Sequence, residues 1–157
     1  MFDKVVDAAL SLWTEFHVED THFSYTEEPG EVRFEVRTIS PISRRCLVAE
    51  FSLSKMPGTL WLYSHGACVA EQFRGQGIGK RMNEFRKRIA ERAGAWGLLA
   101  FAAGSNVVQR NLLQKQGWMR LVDLDTPTPK GQLYSQEIWV YVTRNFGGQK
   151  EQKEESQ

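Results

Sequence analysis

A chain of 157 residues, 41% of them apolar, is long enough to bury a substantial core within one domain. A formal charge of +1 argues against a general nucleic-acid or membrane-surface binder, and the apolar runs are too short to span a bilayer. The N-terminus shows no basic region followed by an apolar stretch, and two cysteines, Cys46 and Cys68, make neither a disulfide framework nor a metal-ligand cluster. A reducing, cytoplasmic setting without a metal is expected.

Along the chain, Val5, Val6, Ala9, Leu12, Trp13 and Phe16 recur at three- and four-residue spacing, which predicts an amphipathic helix over residues 3–17. Phe23 to Tyr25 is a short strand candidate, and Pro29-Gly30 signals a turn. From Glu31 the run Glu-Val-Arg-Phe-Glu-Val-Arg alternates with the period of a half-buried strand, which Pro41 ends. Residues 47–53 and 60–69 are two further strands, divided by Met56-Pro57-Gly58, so an antiparallel meander is expected. Ile78, Met82, Phe85, Ile89 and Ala93 share one face of a helix that Gly94 can terminate. Residues 74–92 also carry seven Lys/Arg against two Glu, mostly readable as a solvated face. Residues 97–103 suit a buried parallel strand. Ser105 or Asn106 can cap a helix running to Gly117. Residues 118–124 and 133–144 look like closing strands, with Pro127, Pro129 and Gly131 between them. Residues 147–157 hold no apolar side chain and read as a disordered tail. There is no internal repeat.

The densest information lies between Val69 and Lys80. Gly75, Gly77 and Gly79 follow a strand and precede a helix, an arrangement that aims several backbone N–H groups at the positive end of a helix dipole and suits a phosphate or pyrophosphate. The dinucleotide fingerprint and the kinase loop both fail at Lys80. The P-loop fails at Arg74 and Arg81. What remains is Arg74-x-x-Gly77-x-Gly79. It resembles the acetyl-CoA pyrophosphate loop of the GCN5-related N-acetyltransferase (GNAT) superfamily. Asn106, followed by a helix that ends at Gly117-Trp118, resembles a second signature of that family, and the element order over residues 31–144 agrees with both.

The resemblance implies an α/β fold, a mixed sheet over residues 1–146 whose central strands splay around acetyl-CoA as cosubstrate. It implies that Arg74, Gly75, Gln76, Gly77, Ile78, Gly79 and Lys80 surround the pyrophosphate. A backbone N–H near Val69 would steady the oxyanion after a bulge at Gly66, and Asn106 would bind pantetheine or cap its helix. Two features depart from the family. A tyrosine that often protonates the leaving thiolate, seven residues after the Asn, is replaced by Leu113. The region before Glu31 is also short, and that region normally shapes the acceptor pocket.

Amine acylation calls for a base that titrates near neutrality, which histidine does unperturbed. His65 lies on the strand before the loop, and strict alternation puts it on one face with Tyr63, Ala67 and Val69 and puts Cys68 on the other. His65 is therefore the candidate base, or a polar residue where the strands part. Tyr63 is a candidate hydroxyl donor or a packing residue. Glu71 reads as a solvated loop carboxylate, and Cys68 lacks a paired base. His17 and His22 fall near the end of the first helix. The implied function is acetyl transfer to a primary amine, on a small molecule or a protein, by direct attack in a ternary complex. A silent CoA-binding module and a GNAT fold redirected to nucleic acid or a partner protein are the alternatives. A homodimer is left open, and neither membrane nor nucleic-acid binding is expected.

Overall fold

The computed structural model describes residues 2–39, 45–103, 105–127 and 133–147, with the backbone alone described for 122–127 and 133–135. Helix α1 (Phe2–Phe16) forms where the apolar stripe predicts it and buries Val5, Val6, Ala9, Leu12 and Phe16. Strands β1 (Thr21–Glu28) and β2 (Glu31–Thr38) make a hairpin whose turn uses Gly30 at φ 79°. Strands β3 (Leu47–Lys55) and β4 (Trp61–Val69) complete the meander. Helix α2 (Ile78–Arg92) leads to β5 (Gly97–Ala103), α3 (Val107–Lys115), β6 (Met119–Pro127) and β7 (Leu133–Val142). Among the described residues the sheet has seven strands, in the order β1-β2-β3-β4-β5-β7-β6. Its one parallel pair among the described strands is β4 with β5.

The candidate strand at Phe23 is thus a full edge strand. Its own alternation is weak because Phe23 alone supplies a large inward apolar side chain, stacked between Trp13 and Phe34 at 4.5 and 5.6 Å. Pro127 closes β6 rather than sitting in the connection beyond it, as suits a residue that gives up its ladder donor. Pro41, Pro129 and Gly131 lie outside the described residues, as does the expected tail beyond Gly147.

The rings of Trp13, Phe23, Phe34, Phe51 and Phe85 run as a chain from α1 through β1, β2 and β3 to α2, with successive centroids 4.5, 5.6, 5.1 and 5.9 Å apart. Burial of that much aromatic surface dominates the packing of this half of the molecule. Helix α3 joins the same side of the sheet through Gln116. Its Oε1 accepts from Asn83 Nδ2 and its Nε2 donates to the Lys80 carbonyl, both on α2. Leu53, Leu62 and Leu98 lie beneath the helices, wholly buried. The opposite face carries Ser54, Tyr63, His65 and Phe101. Among the described residues no helix is long and apolar enough to cross a membrane.

The start of β5 fixes how closely it meets its neighbours. A Cβ on Gly97 would lie 2.2 Å from the Tyr141 carbonyl oxygen and 2.3 Å from the Trp61 ring. Gly97→Ala is therefore expected to cost about 1–3 kcal/mol, the usual scale of overpacking. Urea denaturation checks it, with a lower midpoint at unchanged slope expected. A wild-type midpoint would show that the strand ends yield freely.

Candidate functional site

Strands β4 and β5 pair in parallel register from Trp61↔Gly97 to Ser64↔Ala100 and no further, although β4 runs on to Val69 and β5 to Ala103. Past Ser64 the β4 edge that faced β5 has no strand partner among the described residues. On its other edge β4 stays with β3, but the register shifts by one residue between Ser52↔His65 and Glu50↔Cys68. The extra residue is accommodated at Gly66, whose φ of 63° is the left-handed conformation glycine adopts without cost.

This bulge overturns one expectation. A two-residue period holds only along an unbulged strand, so past Gly66 the faces exchange. Cys68 shares the face of His65 and Tyr63, whereas Val69 turns toward α2, its Cγ2 3.7 Å from where a Cβ on Gly79 would be. Cys68 is exposed and has no hydrogen-bonded base among the described residues. Ala70 N–H donates to the Val48 carbonyl across β3. By alternation the N–H and carbonyl of Val69 then face the gap, and that carbonyl accepts from Arg74 Nε at 2.9 Å.

The loop that follows is held by Gly75 and Gly77, at φ 78° and 79°. Gly77 is the N-cap of α2 and provides no capping side chain. The first helical bond runs from Arg81 N–H to the Gly77 carbonyl, which leaves the N–H groups of Gln76 to Lys80 without a partner among the described residues. Within that stretch Gly77, Ile78 and Gly79 border a groove of about 500 Å³ whose walls also include Val69, Arg74, Gly75 and Asn106. Ile78 is buried beneath it, Gln76 is exposed, and the Lys80 side chain lies on the far side of the loop, beside Glu15, Arg81 and Glu84. Asn106 Oδ1 accepts from Gln109 N–H at 3.1 Å and so caps α3, while its Nδ2 has no partner among the described residues. Leu113, at the place of the family tyrosine, is wholly buried, and Leu112 borders the groove instead.

Where the strands part, a second recess of about 190 Å³ continues the groove past Ala67 and Gln109 to His65 and Phe101. His65 Nε2 lies 2.7 Å from Ser54 Oγ and 3.7 Å from a Glu31 carboxylate oxygen. Nδ1 is left without a partner among the described residues. Tyr63 stacks on the His65 ring at 4.8 Å and meets the edge of Phe101 at 5.4 Å. Burial among these rings raises its phenol above the usual range.

Sequence reasoning missed the residue at the floor of the gap. Arg86 and Lys87 were grouped with a solvated helix face, yet they are 3% and 8% exposed. Lys87 pairs with Glu84 at 2.9 Å and covers the Tyr141 ring. Arg86 donates to Ser64 Oγ at 3.0 Å and twice to Asn83 Oδ1, and lies over Trp118. Burial lowers its pKa to about 10, so it stays charged at neutral pH. The signal was available. Arg86 is four residues past Met82 and three before Ile89, in the apolar stripe itself.

No protein-family model and no curated protein sequence matches this chain significantly. Solved structures do. An NAA60 from Arabidopsis thaliana, solved with a bisubstrate analogue, is 14% identical at a TM-score of 0.65, over 74% of this chain and 77% of that one. A spermidine N-acetyltransferase from Vibrio cholerae, solved with CoA and spermine, is 13% identical at a TM-score of 0.63, over 89% of this chain and 76% of that one. An IAA acetyltransferase from Bacillus cereus is 18% identical at a TM-score of 0.58, over 71% and 77%. The chain has the GNAT fold. The expected mixed sheet is present, and the parting of β4 and β5 occurs where the GNAT resemblance implied it.

The Tyr63 environment can be read directly. The Tyr63→Phe difference in an ultraviolet pH titration should reveal a phenol that ionises above the free value of about 10. Phe101→Ala should bring it back toward that value by admitting water. A normal Tyr63 transition in the wild type would mean that the rings do not exclude solvent.

Proposed function

We propose that this chain transfers an acetyl group from acetyl-CoA to a primary amine, by direct attack in a ternary complex. The observation that carries this reading is the continuity of the unpaired β4 edge with the uncapped start of α2. A strand edge past Ser64 offers hydrogen bonds to the amides of pantetheine, and it leads directly to a cluster of free N–H groups suited to a pyrophosphate. Solved relatives in fold that carry acetyltransferase names, one of them a spermidine N-acetyltransferase with CoA, support the same chemistry.

In this reading the N–H groups from Gln76 to Lys80 hold the pyrophosphate, with Arg74 beside them, and Asn106 Nδ2 reaches the pantetheine. The thioester then lies near Gly66 and Ala67. The carboxylate of Glu31 and the hydroxyl of Ser54 favour a proton on His65 Nε2, which leaves the Nδ1 lone pair to accept one from the incoming ammonium. The neutral amine attacks the thioester carbon, and the Val69 N–H is directed to stabilise the oxyanion. The C–S bond then breaks, and the second proton of the attacking nitrogen passes to water, or to Tyr63 where that phenol has given up its own. The thiolate leaves as such, since its pKa is about that of free cysteine, near 8.5, or takes a proton from Tyr63, whose raised pKa keeps it protonated. A silent CoA-binding module is the second reading, favoured by the apolar Leu113 where an acid often stands.

Two measurements test the proposal. Calorimetry should show CoA binding by wild type and its loss in Gly77→Asp. Gly77→Asn, equal in shape and tolerant of the left-handed conformation, should keep affinity within about tenfold, because the loss comes from charge at the phosphate site. Equal loss in both variants would point to loop geometry alone, and no binding by wild type would end the reading. With an amine that turns over, His65→Ala should lower kcat by about 100-fold or more and remove the acidic limb of the pH profile. An unchanged limb would exclude His65 as the base.

A further inference from the structure

The guanidinium of Arg86 is a buried cation without an anion. It is 3% exposed, and no carboxylate lies within ion-pairing distance of it among the described residues. The buried carboxylate on the same side of the sheet, Glu137, is held by Arg110 at 2.6 Å and by the Trp139 indole. A third recess, of about 90 Å³ between β4 and α2, is bordered by both Glu50 and Arg86, yet Glu50 makes no ion pair with Arg86. An uncompensated charge in the interior is strongly unfavourable, and the neutral oxygens of Ser64 and Asn83 offset only part of that cost. Three of the five guanidinium N–H donors are used, one on Ser64 and two on Asn83. Two remain.

Arg86 borders both recesses that meet where β4 and β5 part, one with Ser64, His65 and Ala100, the other with Val69, Met82 and Leu112. A planar fork with two spare donors matches the two oxygens of a carboxylate, and the charge matches as well. A thioester or amide carbonyl would satisfy one donor and leave the charge uncompensated. The indole of Trp118 over the guanidinium, at 5.2 Å, and the Asn83–Gln116 contact behind it fix the fork in place.

We propose that Arg86 is the receptor, at the inner end of the gap, for a carboxylate carried by one of the substrates. This rests on the acyl-transfer reading and narrows it. The carboxylate belongs either to the acyl group, as in malonyl or succinyl thioesters, or to the acceptor, as in an amino acid.

Calorimetry on the intact chain separates the sources without requiring turnover. Acetyl-, malonyl- and succinyl-CoA form one arm. The other arm, at saturating CoA, compares amine pairs that differ only in a carboxylate, such as ornithine with putrescine and tryptophan with tryptamine. Wild type should favour the carboxylated member of one arm by about tenfold or more, the scale of hydrogen bonding to a charged group. Arg86→Met, similar in length and apolar, should erase that preference while acetyl-CoA affinity stays within about threefold. The wild-type panel stands even if the variant fails to fold. Preference in neither arm, or a preference that survives Arg86→Met, overturns the proposal while leaving acetyl transfer intact. Equal weakening of every ligand in Arg86→Met would assign Arg86 to the framework and overturn it too. Failure of all three thioesters to bind would remove the acyl-transfer reading beneath it.

Discussion

The parting of β4 from β5 beyond Ser64 and Ala100 is the constraint on which the rest of the site depends. Two parallel strands that stayed paired would satisfy each other's backbone groups and leave a closed sheet with nothing to bind. Separation exposes a row of main-chain groups whose unmet hydrogen bonds cost free energy unless water or a ligand takes them. Several features around the gap hold it in that state. The bulge at Gly66 lets β4 bend away from β5 while keeping its pairing with β3. Arg74 binds the Val69 carbonyl and so ties the strand end to the loop that follows. Beneath them, Ser64, Arg86, Asn83 and Gln116 form a hydrogen-bonded polar chain from β4 across α2 to the end of α3, along the floor of the gap.

That floor explains an otherwise odd distribution of polarity. The half of the molecule around α1 and the first three strands is held by packed rings, from Trp13 to Phe85. At the next position of α2, Phe85 gives way to Arg86, and packing gives way to donors and acceptors. Helix α2 therefore has two roles along one stripe. Phe85 and Ile89 fasten it to the core, while Asn83 and Arg86 line the gap.

The sequence made legible what depends on short-range pattern. The apolar stripes of α1 and α2, the alternation of β2, the glycine loop and the capping Asn106 all depend on contacts within a few residues, and the structure has each of them close to the expected bounds. Features set by a partner elsewhere in the chain were harder to see. Whether β4 bulges depends on its register with β3, and one extra residue moved Val69 and Cys68 to the faces opposite those that alternation implied. Strand β1 has one inward aromatic to announce it, and its pairing with β2 does the rest. Arg86 was masked by its neighbours, because a run of basic residues on a helix is usually solvated and only its phase against Met82 and Ile89 separates it from them.

Leu113 illustrates the same limit and carries the argument one step further. The family spacing places a hydroxyl there, so the sequence suggested a missing acid at an otherwise intact site. The side chain is wholly buried, so a tyrosine introduced at 113 would have to displace core packing before it met any thiolate. The loss is therefore built into the packing of α3, and the groove wall at that point is apolar, through Leu112. A thiolate leaving beside such a wall gains nothing from it, while Tyr63, held against His65 and Phe101, carries a hydroxyl on the strand face of the candidate base. Base and acid would then come from neighbouring positions of one strand face, separated by the single residue Ser64, which fastens Arg86 below. Acid, base and buried charge are in that case positioned by the same three residues of β4, just before the strand bulges.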